Sequence, residues 1–164
     1  MAHTDGVDRI IEQWRHERPE LDTAAMAVFG RILRLARIAG DEVERAYAEF
    51  GLSRAEFDVL ATLRRAGEPF ELSPGALAAS MMLSTGGTTA RLDRLEKAGL
   101  AQRRPSPTDR RGVLVRLTPQ GRDTIDRALG AGLARQQSLL AHLAPADRAR
   151  LADLLRDALE TQDS

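Results

Sequence analysis

The sequence predicts a mainly α-helical chain that carries one small β-hairpin. Apolar residues recur every three to four positions through most of the 164 residues, as one face of a helix requires. Glycine and proline mark the ends of these segments. The exception is residues 100–117, where alternation and a proline-containing turn predict two short strands. The fold class is therefore mainly α, with a small β element near the middle of the chain.

A helix at residues 84–98 is predicted to lead directly into this hairpin. Ser84 is a favourable N-cap for it. Leu92 and Leu95 share its inner face, and Gly99 suits a left-handed C-cap. The prediction is a helix of about four turns with one apolar face.

The hairpin, residues 100–117, is predicted as two strands joined by a tight turn. Residues 100–104 form the first strand and residues 112–117 the second, which alternates as a strand should. The turn at 105–111 contains two prolines and a basic tip. A helix followed by a two-stranded basic ribbon is the layout of a winged helix.

Basic residues are concentrated in this segment, although the formal net charge of the chain is zero. Residues 91–122 contain nine basic residues and three acidic ones. Such a cluster suits phosphate neutralisation with release of counterions. An α-helix fits the major groove of DNA and a narrow arginine-tipped loop fits the minor groove. Because arginine-rich surfaces are also commonly just solvated, charge alone leaves both interpretations open.

The chain before residue 53 is predicted to have a frayed start at residues 1–5, followed by two helices. Residues 6–17 form a one-faced amphipathic helix. It contains the single tryptophan of the chain, Trp14, which is predicted to anchor a core or an interface. A long helix at residues 22–50 follows, with Asp22 as its cap.

The head itself, residues 53–117, is predicted as three helices and a small sheet. Ser53 and Glu56 open its first helix as a capping box. Residues 70–72 are predicted as a short third strand of the wing sheet. Residues 73–98 then form a helix-turn-helix, since a short helix and a turn precede the 84–98 helix.

The C-terminal region is predicted as two further helices. Thr118 and Pro119 start the first, whose apolar stripe is near the 3.5 period of coiled coils, and Pro145 interrupts it. Helices at 22–50 and 118–160 with apolar faces predict a dimerisation domain. A twofold dimer would present two heads to a pseudo-palindrome, with half-sites about one helical turn apart. The alternative is an intrachain bundle of the terminal segments.

Residues 95–121, LEKAGLAQRRPSPTDRRGVLVRLTPQG, resemble the signature of MarR-type winged-helix transcription regulators. In that family a recognition helix runs through a Gly-Leu turn into a wing that carries Asp-Arg-Arg, and then into Leu-Thr-x-x-Gly. The resemblance in order and composition extends from about residue 22 to the C-terminus, so residues 1–164 are predicted as a single MarR-type domain. The chain departs from the pattern at Ser106, because the usual wing has an acidic residue three positions before Asp109.

The resemblance implies a dimeric, sequence-specific regulator, most often a repressor, that binds double-stranded DNA. In the family the wing arginine enters the minor groove, and the first turns of the recognition helix read bases or phosphates. The residues that it implies for DNA binding are Ser84, Thr85, Thr88, Thr89, Arg91, Arg94, Arg110 and Arg111.

Many regulators of this family are released from DNA by a small, often anionic aromatic ligand. A urate-responsive subgroup has an extra N-terminal helix with a tryptophan, an aspartate in the helix after the first long one, and two arginines. Trp14, Asp58, Arg91 and Arg103 occupy the matching positions, which implies a site for urate or a related purine or phenolic anion. Arginines fit a planar anion through paired donors.

Each of these residues also has a structural interpretation. Asp58 stands four residues after Arg54 and could form a surface ion pair. Arg91 could contact phosphate, and Arg103 could be a solvated residue at the sheet edge. A MarR-type regulator without any small-molecule ligand is therefore also open.

Other classes of function have less support. There are no cysteines and only three histidines, far apart in sequence, so we expect no metal site and no cofactor. We find no phosphate-binding loop and no nucleophile motif, so we do not expect an enzyme. No apolar run approaches a membrane span and no signal peptide is recognisable, so we expect a cytoplasmic protein without a membrane partner. A helical protein-interaction module is the alternative, and its DNA binding would lack a steep salt dependence.

Overall fold

The computed structural model of the chain describes residues 4–81, 88–107 and 112–160. The described elements, in chain order, are α1 (Gly6–Glu17), α2 (Ala24–Ala48), α3 (Arg54–Arg65), β1 (Glu71–Leu72), α4 (Pro74–Ser80), α5 (Thr88–Lys97), β2 (Ala101–Pro105), β3 (Val113–Leu117), α6 (Pro119–Leu139) and α7 (Pro145–Glu160). The three strands form one antiparallel sheet in the order β1-β3-β2. The chain divides into two compact units, Met1–Asp41 and Glu42–Ser164. Within the described ranges, no helix has the length and apolar character that crossing a membrane requires.

In the first unit, α1 packs closely against α2 at Gly30. Val7 and Ile11 are buried, and a Cβ added to Gly30 would lie 2.9 Å from Cγ1 of Val7. Asp5 caps α1 because its side chain accepts hydrogen bonds from the backbone N–H groups of Val7 and Asp8, at 2.7 and 3.0 Å. The side chain of Asp8 accepts in return from the backbone of Asp5. The prediction that residues up to Asp5 are frayed is therefore wrong at this residue, since an Asp-x-x-Asp capping box orders it.

An ion-pair cluster strengthens the same contact between α1 and α2. Arg31 of α2 donates to Asp5 at 3.0 Å and to Asp8 at 2.6 Å. Ile10 and Trp14 lie outside the contact and are 48% and 43% exposed. Trp14 is therefore not part of the core of this unit, because only one side of α1 is covered. Its role as an interface anchor stays a prediction.

The long helix α2 is two residues shorter at each end than predicted. It covers Ala24–Ala48 rather than 22–50. Asp22 contributes as expected of a capping side chain, because its Oδ1 accepts from the backbone N–H of Ala24 at 2.9 Å. Gly51 follows the helix with a φ of 71°, in the left-handed region that favours glycine.

The core of the second unit joins α3, α5, α6 and the sheet. Leu92 and Leu95 of α5 are 3% and 1% exposed, which confirms the predicted inner face. The rings of Tyr47 and Phe57 stack with centroids 3.7 Å apart. The buried cluster consists of Val43, Tyr47, Leu52, Phe57, Val59, Leu60, Leu63, Leu77, Leu92, Leu95, Leu100, Ala101, Val115, Leu117, Ile125 and Ala128. These side chains form the support on which α5 and the hairpin rest.

Local signals located the start of α3 and α4 correctly. Ser53 and Glu56 form the predicted capping box. The N–H of Glu56 donates to Oγ of Ser53 at 3.3 Å, and the N–H of Ser53 donates to Oε2 of Glu56 at 2.9 Å. Ser73 caps α4. The third strand is shorter than the predicted 70–72, because Phe70 has a φ of 59° and leaves the extended conformation.

The wing strands pair in an antiparallel register that runs from Ala101 opposite Leu117 to Pro105 opposite Val113. Each strand begins one residue later than predicted, and β2 also ends one residue later. The N–H of Ser106 donates to the carbonyl of Gly112 at 2.8 Å and extends the pairing toward the tip. This backbone bond joins the two strands at the position where the family pattern has an acidic side chain.

The turn from β3 into α6 explains the Leu-Thr-x-x-Gly motif. Thr118 caps α6, since its Oγ1 accepts from the N–H of Gly121 at 2.9 Å. The same hydroxyl donates to the carbonyl of Gly99 at 2.7 Å. A Cβ on Gly121 would lie 1.9 Å from the carbonyl oxygen of Leu100, so this position accepts only glycine. The motif therefore joins the start of α6 to the end of α5.

The C-terminal helices follow the predicted interruption. α6 ends at Leu139, and α7 begins at Pro145. None of the described residues of α7 is buried. Leu154, Leu155 and Leu159 are 57%, 38% and 64% exposed, so α7 presents an apolar face that the described residues of its unit leave uncovered.

Candidate nucleic-acid interface

The predicted recognition helix is described from Thr88 onward. Residues 82–87 and 108–111 lie outside the described residues. Ser84 and Thr85, together with Arg110 and Arg111 of the wing tip, are therefore residues whose DNA-binding roles stay predictions. α5 ends at Lys97, one residue before the predicted end at 98, and the predicted C-cap Gly99 has a φ of 72°.

Arg94 lies on α5 and is attached to the start of α3. Its Nε donates to Oε1 of Glu56 at 2.7 Å, and the Glu56 side chain is only 13% exposed. Burial raises the pKa of Glu56, but hydrogen bonds from Arg94 and Ser53 outweigh this and leave the pKa below its usual range. The Arg94 side chain itself stays 58% exposed.

Arg103 lies on β2 and contacts α5 through two carboxylates. Its Nη2 lies 2.7 Å from Oδ1 of Asp93, and its Nη1 lies 2.7 Å from Oε2 of Glu96. Its backbone N–H also donates to Oε1 of Glu96 at 2.9 Å. The backbone N–H of Arg103 is the main cause that lowers the pKa of Glu96, and its guanidinium adds to this.

Arg104, the next residue of β2, is attached to β1. Its Nε and Nη2 donate to the two carboxylate oxygens of Glu71 at 2.8 and 2.5 Å. This is the paired geometry in which a guanidinium holds a carboxylate most firmly. Hydrogen bonding to Glu71 raises the pKa of Arg104.

These ion pairs reduce the positive charge that composition suggests. Arg94, Arg103 and Arg104 each have a carboxylate partner, and Glu56 and Glu71 lie outside the basic segment 91–122. Sequence reasoning missed both partners, because each is more than thirty residues away from its arginine. The two capping-box bonds of Glu56 gave it a local explanation, which hid its second role.

The four residues implied for ligand binding are distributed over four elements. Trp14 lies in the first unit, whereas Asp58 is on α3, Arg91 on α5 and Arg103 on β2. Asp58 pairs with Arg54 at 3.3 Å, as the structural interpretation predicts. In the described part of the chain, no hydrogen bond or ion pair joins Asp58, Arg91 and Arg103 to one another.

Arg91 differs from the other arginines of the head. Its Nη1 is buried and has no hydrogen-bond partner among the described residues. A buried, unpaired guanidinium nitrogen is costly, so an acceptor supplied from outside the chain would stabilise it. Arg91 is therefore the predicted site residue whose surroundings are most suited to an added anion.

A surface cleft that the sequence did not predict opens beside the sheet. It has a volume of about 820 Å³ and contains none of the residues predicted for DNA or ligand binding. Cζ of Arg122, which lines the cleft, lies 5.2 Å from the centroid of the Phe70 ring. Cζ of Arg64 lies 5.0 Å from the same centroid. The lining residues are Glu68, Pro69, Phe70, Gln102, Arg116, Leu117, Thr118, Pro119, Arg122, Asp123 and Asp126.

Comparison with known proteins identifies the family. A sequence model of the MarR family matches residues 50–112. The HTH-type transcriptional regulator PecS of Dickeya dadantii (strain 3937) is 36% identical over 155 residues, which cover 94% of this chain and 93% of PecS. This chain belongs to the MarR family. The multiple antibiotic resistance protein MarR of Salmonella typhimurium is 34% identical over 93 residues, which cover 56% of this chain and 62% of that protein.

Solved MarR-family structures agree with this assignment. A mutant of Escherichia coli MarR, in complex with operator DNA, matches with a TM-score of 0.68 at 26% identity, covering 89% of this chain and 97% of that chain. AbsC of Streptomyces coelicolor matches with a TM-score of 0.75 at 24% identity over 87% of this chain and 97% of AbsC, which shows the shared fold. The predicted winged-helix fold class is confirmed. This MarR-family protein is a DNA-binding transcription regulator and not an enzyme.

Proposed function

We propose that this MarR-family regulator binds a pseudo-palindromic operator as a homodimer and represses transcription. The observation that carries the proposal is the set of apolar side chains that the terminal helices leave exposed. On α2, Val28, Phe29 and Leu33 are 57%, 62% and 69% exposed. α7 adds the exposed leucines described above. Large exposed apolar surfaces of this kind typically mark protein interfaces.

A twofold dimer explains why the head needs these terminal helices. Covering the apolar faces of two subunits would hold two copies of α5 and two wings at one separation. Two heads at a fixed separation read two half-sites, which matches a pseudo-palindromic operator. The alternative, an intrachain bundle of the terminal segments, predicts a monomer in sedimentation experiments.

Within each head, α5 is proposed to enter the major groove and the wing tip the minor groove. Thr89 and Arg94 are exposed on α5, and Arg110 and Arg111 supply the predicted charge of the tip. Together with Ser84, Thr85, Thr88 and Arg91, they form the proposed DNA-binding set. The proposal assigns phosphate and groove contacts to these residues, because the sequence assigns them to the predicted recognition helix, residues 84–98, and to the wing turn, residues 105–111.

The test is binding to a duplex that covers the sequence immediately upstream of the gene. Affinity should fall strongly between low and moderate salt, because counterions are released from the phosphates. Arg110→Ala with Arg111→Ala should weaken binding, whereas Arg127→Ala, which removes an exposed arginine of α6, should not. Equal binding by wild type and the wing variant would exclude the wing assignment. Salt-independent binding would favour a helical protein-interaction module.

We also propose that a small anionic aromatic or purine ligand such as urate releases the protein from DNA. The support is the match of Trp14, Asp58, Arg91 and Arg103 to the urate-responsive pattern, together with the unpaired Nη1 of Arg91. A ligand that draws Arg91 toward Asp58 would shift α5 and change the separation between half-sites. A carboxylate or enolate oxygen on the ligand would supply the acceptor that this nitrogen lacks.

Titrating urate into the protein–duplex complex tests the ligand separately from DNA binding. Release of the wild-type protein from the duplex at submillimolar urate supports the site if Arg91→Gln is not released. Because Arg91→Gln is expected to bind DNA more weakly, it is measured at a higher duplex concentration that gives the same starting fraction bound. No release at millimolar urate removes urate and leaves DNA binding intact. A regulator without any small-molecule ligand is the alternative that such a result would favour.

A further inference from the structure

Arg103 reaches from the first wing strand to a single face of the recognition helix. Its side chain contacts the backbone carbonyl of Thr89 at 3.5 Å and the carboxylates of Asp93 and Glu96 at 2.7 Å each. Residues spaced by four and three positions lie on the same face of a helix. The guanidinium therefore spans two turns of α5 with donors directed at three acceptors.

The contact fixes the backbone of the strand as well as its side chain. Glu96 accepts one hydrogen bond from the backbone N–H of Arg103 and one from its guanidinium. Such a two-point contact restrains both the position and the rotation of β2 relative to α5. The Arg103 side chain is 29% exposed, whereas those of Asp93 and Glu96 are 60% and 41% exposed, so solvent screens each ion pair and its contribution is modest.

The opposite face of β2 is held in a similar way. Successive residues of a strand point to opposite faces, and Arg104 pairs with Glu71 of β1. The side chains of β2 are thus joined to α5 on one face of the sheet and to β1 on the other. Since β2 pairs with β3, its orientation determines the orientation of both described strands of the wing.

We propose that Arg103, Asp93 and Glu96, which we call the helix–wing clamp, set the position of the wing relative to the recognition helix. In this role Asp93 and Glu96 promote DNA binding, although they are acidic residues in a basic segment. Arg103 acts as a positioning residue and does not contact phosphate. The inference rests on the proposed function, in which α5 and the wing of one head contact adjacent grooves.

If Asp93 and Glu96 acted only through their negative charge, removing either carboxylate would have the opposite effect on DNA affinity. Removing a carboxylate close to DNA phosphates lowers repulsion and should strengthen binding at low salt. Loss of a positioning contact should weaken binding instead, because helix and wing then have to be ordered when they bind. The sign of the effect of Glu96→Gln therefore distinguishes the two.

The experiment compares Glu96→Gln, Asp93→Asn, Arg103→Gln and the double variant Arg103→Gln with Glu96→Gln. Duplex affinity is measured by fluorescence anisotropy at several salt concentrations, with the same upstream duplex. The matched control is Asp123→Asn, which removes one carboxylate of an exposed pair within α6. Circular dichroism melts establish that each variant is folded.

We expect Glu96→Gln to weaken binding by about tenfold, since two subunits each lose one ion-pair contact worth roughly threefold. Arg103→Gln should weaken binding more, because each subunit then loses the contacts to both Asp93 and Glu96. The salt dependence should stay that of wild type, and the double variant should bind no worse than Arg103→Gln. Asp123→Asn should leave affinity unchanged or slightly higher.

Two results would overturn the clamp while leaving the proposed function in place. One is tighter or equal binding by Glu96→Gln. The other is a salt slope for Arg103→Gln reduced by about two, one for each subunit, which would mark Arg103 as a phosphate contact. A wild-type protein that binds no duplex would instead refute the proposed function, and the clamp with it.

Discussion

Replacing Gly121 by alanine should strongly destabilise the second unit. The added Cβ would lie 1.9 Å from the carbonyl oxygen of Leu100 and 2.8 Å from its carbonyl carbon. Both are backbone atoms, so no side-chain rotation relieves the overlap. Either the first turn of α6 or the residues after Gly99 must move.

The structure indicates what such a movement breaks. The N–H of Thr118 donates to the Leu100 carbonyl at 3.2 Å, and the Thr118 hydroxyl caps Gly121 while it donates to Gly99. Loss of a cap costs about 1 kcal/mol, and overpacking of a well-packed site costs roughly 1–3 kcal/mol. We therefore expect a loss of about 2–4 kcal/mol in the free energy of unfolding, a large part of the usual total of roughly 5–15 kcal/mol.

Chemical and thermal denaturation of matched variants measures this loss. The control is Gly130→Ala, in the same helix, where an added Cβ meets nothing within 4 Å. That change should stabilise by about 0.5–1 kcal/mol, because alanine favours a helix over glycine. A Gly121→Ala protein as stable as wild type would refute the account of the Leu-Thr-x-x-Gly motif.

Further predictions concern the dimer, acid stability and ligand release. Leu33→Lys should convert the dimer to monomers in sedimentation experiments while the fold persists. The control is Glu44→Lys, exposed on the same helix, which should remain dimeric. A dimeric Leu33→Lys protein would exclude α2 from the interface. The pKa of Glu96 lies below its ordinary 4.5, so its contribution to stability is present above that pH and is lost as pH falls through the lowered value. Glu96→Gln should therefore flatten the loss of melting temperature in acid, and an unchanged pH profile would contradict this. A ligand that binds Arg103 has to compete with Asp93 and Glu96, so Glu96→Gln should release DNA at a lower urate concentration than wild type; equal release would place the ligand elsewhere.

Local signals in the sequence predicted most of the secondary structure. The capping box of Ser53 and Glu56, the cap at Thr118 and the left-handed Gly99 all act within four residues of themselves. A contact of this range is encoded in the order of neighbouring residues, so reading the chain is sufficient to find it. Within the family motif at 95–121, Gly99 meets a local requirement of this kind through its positive φ, whereas Gly121 is required by the Leu100 carbonyl, 21 positions away in sequence.

The exposure of α1 was not predictable in the same way. Val7, Ile10, Ile11 and Trp14 have one helical spacing, yet only the first and third are buried. Periodicity shows that a helix has an apolar face, but the width of the partner determines how much of that face is covered. Trp14 consequently stayed an open question for the sequence.

The sequence by itself determined the order of the elements, their caps and the family motif, because these depend on residues close together in the chain. Only the tertiary structure decided which basic residues of the head are already paired. Arg94 meets Glu56 and Arg104 meets Glu71 across 38 and 33 positions of sequence. The interaction of two charges depends on their separation in space, and folding sets that separation.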